Sequence, residues 1–264
     1  EIYGGVPIYF VARFSEPFAD YGVWENAKTR KRLSHARGKR VGAYVGFKKG
    51  TINGSAKVGI SFISVEQARA NLDAQISGWD FNAVRSRARA AWENRLSDIR
   101  VEGGTHEDRK IFYTAMYHLD ALPTTLTESG NFYQGFDRIP HKAEGFTYYS
   151  DLSLWDTYRN FHSLTALIRP RQARDFIVSL IAMYEQGGAF PRWPMAVGDS
   201  DFMIGAPAAN VIADGMVRDI ADIDLPTAYR GLRDHATKPA KYGSRAGVEE
   251  WTSLGYVPDD AARE

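Results

Sequence analysis

The feature that most constrains this chain is a change of hydrophobic period at Ser64. Ahead of it, apolar residues alternate. Ile8, Phe10, Ala12 and Phe14 fall on one side of an extended segment, with Tyr9, Val11 and Arg13 on the other. Residues 41–47 and 57–63 repeat the pattern, the latter with Val58, Ile60 and Phe62 on one face. A period of two is that of a strand. Beyond Ser64 the period lengthens. Ser64 and Gln67 form a capping-box pair, and Val65, Ala68, Leu72 and Ile76 recur on one helical face. Strands that all precede the helices do not build alternating βαβ units, so the order predicts an α+β fold in two parts. The few strands, standing alone, would leave edges and one face uncovered, and they read as the end of an N-terminal β-sandwich.

The helical signals continue downstream. Asp80 caps a second helix with Phe81, Val84, Ala88, Trp92, Leu96 and Ile99 inward, and Gly103-Gly104 breaks it. Thr105 with Asp108 opens a third, with Ile111, Phe112, Ala115 and Leu119 on one face and Pro123 as its stop. Residues 124–150, dense in Tyr and Phe, read as loop or short strands. A helix is expected to about residue 167. Pro170 then starts another, with Ala173, Phe176, Ile177, Leu180, Ile181 and Tyr184 inward as far as Gly187-Gly188. Further helices are expected near 207–220 and 226–235, and a turn at 254–258. Helices joined by alternately long and short loops fit an (α/α)6 toroid whose long loops gather at one end. No repeat of fixed period is visible, which argues against a solenoid. The expected organisation is C-terminal sandwich strands over 1–63, linker helices over 64–102, and the first part of a helical barrel over 103–264.

Composition narrows the function. Lys and Arg number 33 against 32 acidic residues, a net charge of +1. That balance gives no global attraction to nucleic acid or to an anionic membrane. The basic stretch 28–40 has no interleaved aromatics and reads as a solvated hairpin. The absence of cysteine excludes disulfides and thiolate metal sites. No apolar run approaches the length of a membrane span. The chain opens on Glu1 without a leader pattern, in what reads as mid-strand, so a mature or excised piece of a longer product is expected.

No P-loop, GxSxG or HExxH motif is present, and the six histidines show no zinc spacing. The chemistry-bearing stretch is residues 189–205, AFPRWPMAVGDSDFMIG. Two prolines stiffen it, Arg192 and Trp193 can orient a sugar, and Asp199 and Asp201 are carboxylates that could protonate a glycosidic oxygen. Asp199 with Ser200 could equally cap the following turn. A second group is Trp155, Asp156 and Arg159. Asp156 and Arg159 could pair across one helical turn, or Asp156 beside Trp155 could bind sugar hydroxyls.

These stretches carry a resemblance. FTYYSDLSLWDTYR, AMYEQGGAFPRWPMAVGDSDFMIG and VIADG resemble glycoside hydrolase family 92, as do VGISFISVEQARANL and VEGGTHEDRKIFYTAMYH upstream and LGYVP downstream. The resemblance runs collinearly over nearly all of residues 40–260. It implies a calcium-dependent, exo-acting, inverting α-mannosidase, with a β-sandwich and an (α/α)6 barrel flanking the site. It further implies that Trp155 and Asp156 contribute to the mannose pocket and that the general acid comes from the 189–205 loop. The family pattern there is N-E-T-N, and this chain has Gly198-Asp199-Ser200-Asp201. Asp199 thus stands at the acid position, one methylene shorter than Glu, with Asp201 as the fallback acid. The shorter acid also suits a mannosyl phosphodiester, whose leaving group needs little protonation. The family's base motif, G-N-D-D-x-G, is not in these 264 residues. An inverting hydrolase needs two carboxylates ~6.5–9.5 Å apart, so the chain alone is expected to be inactive, or a carbohydrate-binding relative. Ca2+ is implied, with ligands largely outside the chain and none assigned within it. The implied partners are a mannose-containing glycan and, where the polypeptide is cut, its remainder as a second chain. The implied location is secreted or periplasmic.

Overall fold

The computed structural model describes residues 5–50, 53–240 and 245–261; Glu1 and Glu264 lie outside them. Strands β1 (Tyr9–Phe14), β2 (Asp20–Glu25), β3 (Lys28–Lys31), β4 (Val41–Gly46) and β5 (Ala56–Ser61) come first. They form two antiparallel sheets, β1-β5 and β3-β2-β4. Phe14 and Phe47 meet edge to face at 5.7 Å and join the two. The hairpin between β2 and β3 turns on Asn26 and Ala27, both left-handed with φ of 47° and 68°, which matches the right-handed twist of the strands it links. β3 is wholly exposed, as expected of a solvated basic hairpin. β2 was not anticipated by spacing: Pro17 and Gly22 interrupt the apolar run.

Helix α1 (Val65–Gln75) lies against the β1-β5 sheet. Its approach is permitted by Gly59, where an added Cβ would stand 2.3 Å from the Ala68 carbonyl oxygen. The face it covers carries Lys57, Gly59 and Ser61, and the apolar face with Phe10, Val58 and Ile60 is exposed. Ser64 caps α1 by accepting from the Gln67 amide. The Gln67 side chain, however, donates to the Ser129 carbonyl at 2.7 Å instead of closing a capping box. Asn71 and Glu128 complete this clasp between the two parts. Asn71 Nδ2 donates to the Ile60 carbonyl at 2.8 Å and to Glu128 at 2.7 Å, and Glu128 also accepts the Phe62 amide at 2.8 Å.

Helices α2 (Phe81–Leu96) and α3 (His106–Leu119) start on Asp80 and Thr105 as the caps predict, the second with a full capping box. Their apolar stripes are not buried as the period suggests. α2 has no buried residue, Phe81 is exposed, and α3 buries Met116 while Ile111 faces out. Trp92 of α2 meets Tyr117 of α3 ring to ring at 4.5 Å, and an ionic cluster ties both to the rest of the helical part. Asp120, beyond α3, accepts from Arg95 at 2.7 Å and from Arg169 at 2.9 Å. Two cations held on one largely buried carboxylate resist being pulled apart.

Residues 124–150 form two small ladders, β6 (Thr124–Thr125) with β9 (Tyr149–Ser150) and β7 (Phe132–Gln134) with β8 (Pro140–Lys142). The expected helix over 151–167 is broken into α4 (Leu154–Thr157) and α5 (Phe161–Ile168), because Asn160 caps a fresh start by accepting the Phe161 amide. α6 (Pro170–Gly187) is the centre of the core, and every residue expected inward on it is buried. Side chains such as Phe176, Ile177 and Leu180 each contribute about 1.5–3 kcal/mol by burial. α7 (Pro207–Val217) and α8 (Leu225–Thr237) pack on α6, and α9 (Val248–Leu254) follows on α8. Strands first and helices after give the two-part α+β fold.

Candidate active site

The loop after α6 is pinned before it turns. Gly188, left-handed at φ 84°, ends α6 by donating its amide to Tyr184. Phe190 is fully buried, its ring 5.2 Å from that of Tyr184. Two two-residue strands, β10 (Pro194–Met195) and β11 (Gly198–Asp199), then form a hairpin in which Pro194 faces Asp199. Val197 at its tip is fully buried, and Ala196 is left-handed at φ 49°. Past β11 the chain winds back through left-handed Asp201, Met203 and Gly205. Arg192 closes the loop by donating from Nη1 to the Met203 carbonyl at 2.9 Å.

The two acids of this loop face opposite ways. Asp199 is 2% exposed. Its Oδ2 accepts the Arg192 amide at 3.0 Å, and its Oδ1 accepts the Trp193 amide at 2.9 Å and the Asp201 amide at 3.3 Å. Three backbone N–H donors thus fall on its two oxygens. Ser200 supports the same turn, its amide and hydroxyl both donating to the Trp193 carbonyl at 3.0 and 2.9 Å. The Asp201 side chain is 62% exposed, 3.9 Å from Arg192 Nη1. The structure thus gathers Arg192, Trp193, Asp199 and Asp201 in one loop, with Arg192 largely buried and Trp193 half-buried.

Trp155, Asp156 and Arg159 sit on and just after α4, all exposed. The Asp156–Arg159 pair does not form. Asp156 accepts the Ser153 hydroxyl, and Arg159 donates to the Tyr158 hydroxyl at 2.7 Å while lying over its ring. Asp156 is thereby turned toward the start of its helix. The bond that ties this stretch to the loop comes from a residue that spacing did not single out. Asp151 Oδ1 accepts the Ala196 amide at 2.9 Å. Its one sequence-level signal is residue type, since Asp tolerates the left-handed backbone it adopts at φ 56°.

Hollows elsewhere take none of these residues. One of about 630 Å³ runs along α6 beside Tyr133, His141 and Glu185. Another of about 350 Å³ lies between α2 and α6, lined by Trp92, Arg95 and Gln172. Among the described residues, no three His, Cys, Asp or Glu side chains come together in a way that could hold a metal ion. The described residues therefore do not by themselves supply a cluster of three acidic or His ligands that a calcium ion could use.

A strand-rich part is thus followed by a helical part that carries two carboxylates and an Arg-Trp pair on the loop after α6. The chain belongs to glycosyl hydrolase family 92. The model of that family's catalytic domain matches residues 67–264, and that of its N-terminal domain matches residues 3–61. The inverting mannosidase BT2199 of Bacteroides thetaiotaomicron is similar at 29% identity and a TM-score of 0.87, over 97% of this chain and 36% of that one. The α-mannosidase BT3965 of the same organism, solved in complex with mannoimidazole, is similar at 28% identity and a TM-score of 0.81, over 96% of this chain and 34% of that one. A curated protein of Arthroderma benhamiae, described as an uncharacterized secreted glycosidase, is 27% identical over 230 residues, 83% of this chain and 26% of that protein. The chain thus spans about a quarter to a third of these relatives.

Proposed function

We propose that the complete polypeptide is an exo-acting, inverting α-mannosidase that removes terminal mannose from glycans, and that this chain supplies its acid loop and part of its sugar pocket. One observation carries the reading: the Asp199–Asp201 loop, bonded to the stretch before Trp155 and Asp156, occurs in a chain whose two parts both match the family. In this reading Trp155 and Asp156 hold the sugar, and Arg192, Trp193 and Arg159 border it. One carboxylate of the loop gives a proton to the departing oxygen. Asp199 holds the family's acid position, and Asp201 is the carboxylate that faces outward. The base that activates water is contributed by polypeptide other than these 264 residues, so this chain by itself is expected to give no turnover. Calcium is proposed for the complete polypeptide alone, and no step is derived through it here. Secretion or export to a periplasm is proposed from the fungal relative's description. Among the described residues no helix is long and apolar enough to cross a membrane.

The test gives the complete polypeptide an aryl α-mannoside and a mannosyl phosphodiester, each with calcium and with chelator. Calcium-dependent release of β-mannose from the aryl substrate is expected, with the first-formed anomer read by proton NMR. The shorter acid at Asp199 favours a second reading, in which only the phosphodiester is cleaved. Mannose binding without turnover of either substrate would leave a carbohydrate-binding relative and end both enzymatic readings.

A further inference from the structure

We propose that Asp151 is a positioning residue that sets the acid loop in register with the sugar-binding turn. Its catalytic consequence rests on the function proposed above. The bond from the Ala196 amide to Asp151 spans 45 residues of sequence and joins two rigid brackets. On one side, Ser150 is fully buried and its strand β9 is paired with β6, while Leu152 and Leu154 are 1% and 0% exposed. Asp151 is therefore held by anchored backbone before and behind. On the other side, Ala196 is one residue from fully buried Val197 and three from Asp199, in the turn of the two-residue β10–β11 hairpin.

Both partners adopt left-handed backbone, φ 56° at Asp151 and 49° at Ala196, although neither is glycine. Such conformations persist where surrounding contacts over-determine them. Asp151 lies four residues before Trp155 and three residues before Leu154, the first residue of α4. Movement of the hairpin relative to Asp151 therefore changes the separation between the loop's carboxylates and a sugar held at Trp155 and Asp156. A misplacement of about an ångström costs on the order of 100-fold in rate.

The experiment compares wild type, Asp151→Ala and Asp151→Asn of the complete polypeptide on an aryl α-mannoside. It reads kcat, KM, the unfolding midpoint and hydrogen exchange of the Ala196 amide. Asp151→Ala is expected to lower kcat roughly 10- to 100-fold with KM little changed, and to speed exchange at Ala196. Asp151→Asn keeps an oxygen that accepts the same N–H and is expected to restore most of both. A purely structural role would lower the midpoint and leave kcat per folded molecule intact, which would overturn the proposal. So would an Asn variant as impaired as the Ala one, since the charge and not the bond would then matter. If wild type hydrolyses no mannoside, the functional reading fails by itself. Exchange at Ala196 then decides the registering bond, and unchanged protection in Asp151→Ala removes it.

Discussion

Replacing Asp199 by Asn is the sharpest perturbation of the loop, because shape is kept and only acceptor capacity changes. The carboxylate accepts three backbone amides at 2% exposure. An amide side chain has one oxygen. Placed at the Oδ1 position, it keeps the bonds from Trp193 and Asp201 and turns its NH2 against the Arg192 amide. A buried donor left unmet costs about 1–3 kcal/mol, and each retained bond loses about 1 kcal/mol of charge assistance. The loop is therefore destabilised by roughly 3–5 kcal/mol. Local opening gives way before the core does, so the effect belongs in amide exchange more than in the global midpoint. Exchange of the Arg192 and Trp193 amides is expected to accelerate on the order of a hundred- to several-thousand-fold, with Phe176 and Leu180 in α6 unaffected. Unchanged protection at Arg192 and Trp193 in Asp199→Asn would refute the bracing role and free this carboxylate for proton transfer alone.

Three further outcomes follow from the same structure. His162 is buried among the rings of Phe161 and Phe176, and desolvation lowers its pKa to about 4, partly opposed by Asp214. The unfolded chain binds that proton first as pH falls, so stability is constant above about 6.5 and declines toward about 4, with roughly 2 kcal/mol lost at pH 5. Urea unfolding of wild type and His162→Leu should show the slope only in the former. Gly231→Ala in α8 would place a Cβ 2.6 Å from Phe190, the buried anchor of the loop. Overpacking of about 1–3 kcal/mol is expected to outweigh the helix-propensity gain, and a raised thermal midpoint would contradict it. Asp156→Ala, at an exposed position, should weaken mannose binding at least about tenfold while moving stability by less than about 1 kcal/mol; calorimetry and a melting curve check both.

The helix α6 shows how much of the fold was legible. Pro170, the apolar stripe and the paired glycines all stand in the sequence, and the expected inward residues are buried. The same period placed Phe81 inward, and it is exposed; Val58 and Ile60 share one strand face as read, and that face is exposed. A periodic stripe marks a face that can be buried and is silent about what covers it. The break at Asn160 was missed for a different reason: apolar residues at helical spacing, Leu154, Tyr158, Phe161 and Leu164, continue across it, and only the cap's hydrogen bond reveals a new helix.

At the site, residue types were legible and directions were not. Arg192, Trp193, Asp199 and Asp201 are grouped by sequence alone, since a proline-stiffened loop of that length keeps them near one another. Which carboxylate turns inward depends on left-handed backbone at Ala196, Asp201 and Met203, none of them glycine. No spacing rule forecasts those angles, and they follow from tertiary anchors: Phe190 under α8, Arg192 on the Met203 carbonyl, and Asp151 on the hairpin tip. The one-methylene difference at Asp199 then acquires a physical meaning. The short side chain reaches back to amides two, six and seven residues away, and a Glu would carry its carboxylate beyond them. In the proposed reading, the acid of this loop is thus also its brace. Whatever proton it gives must come at the expense of those bonds.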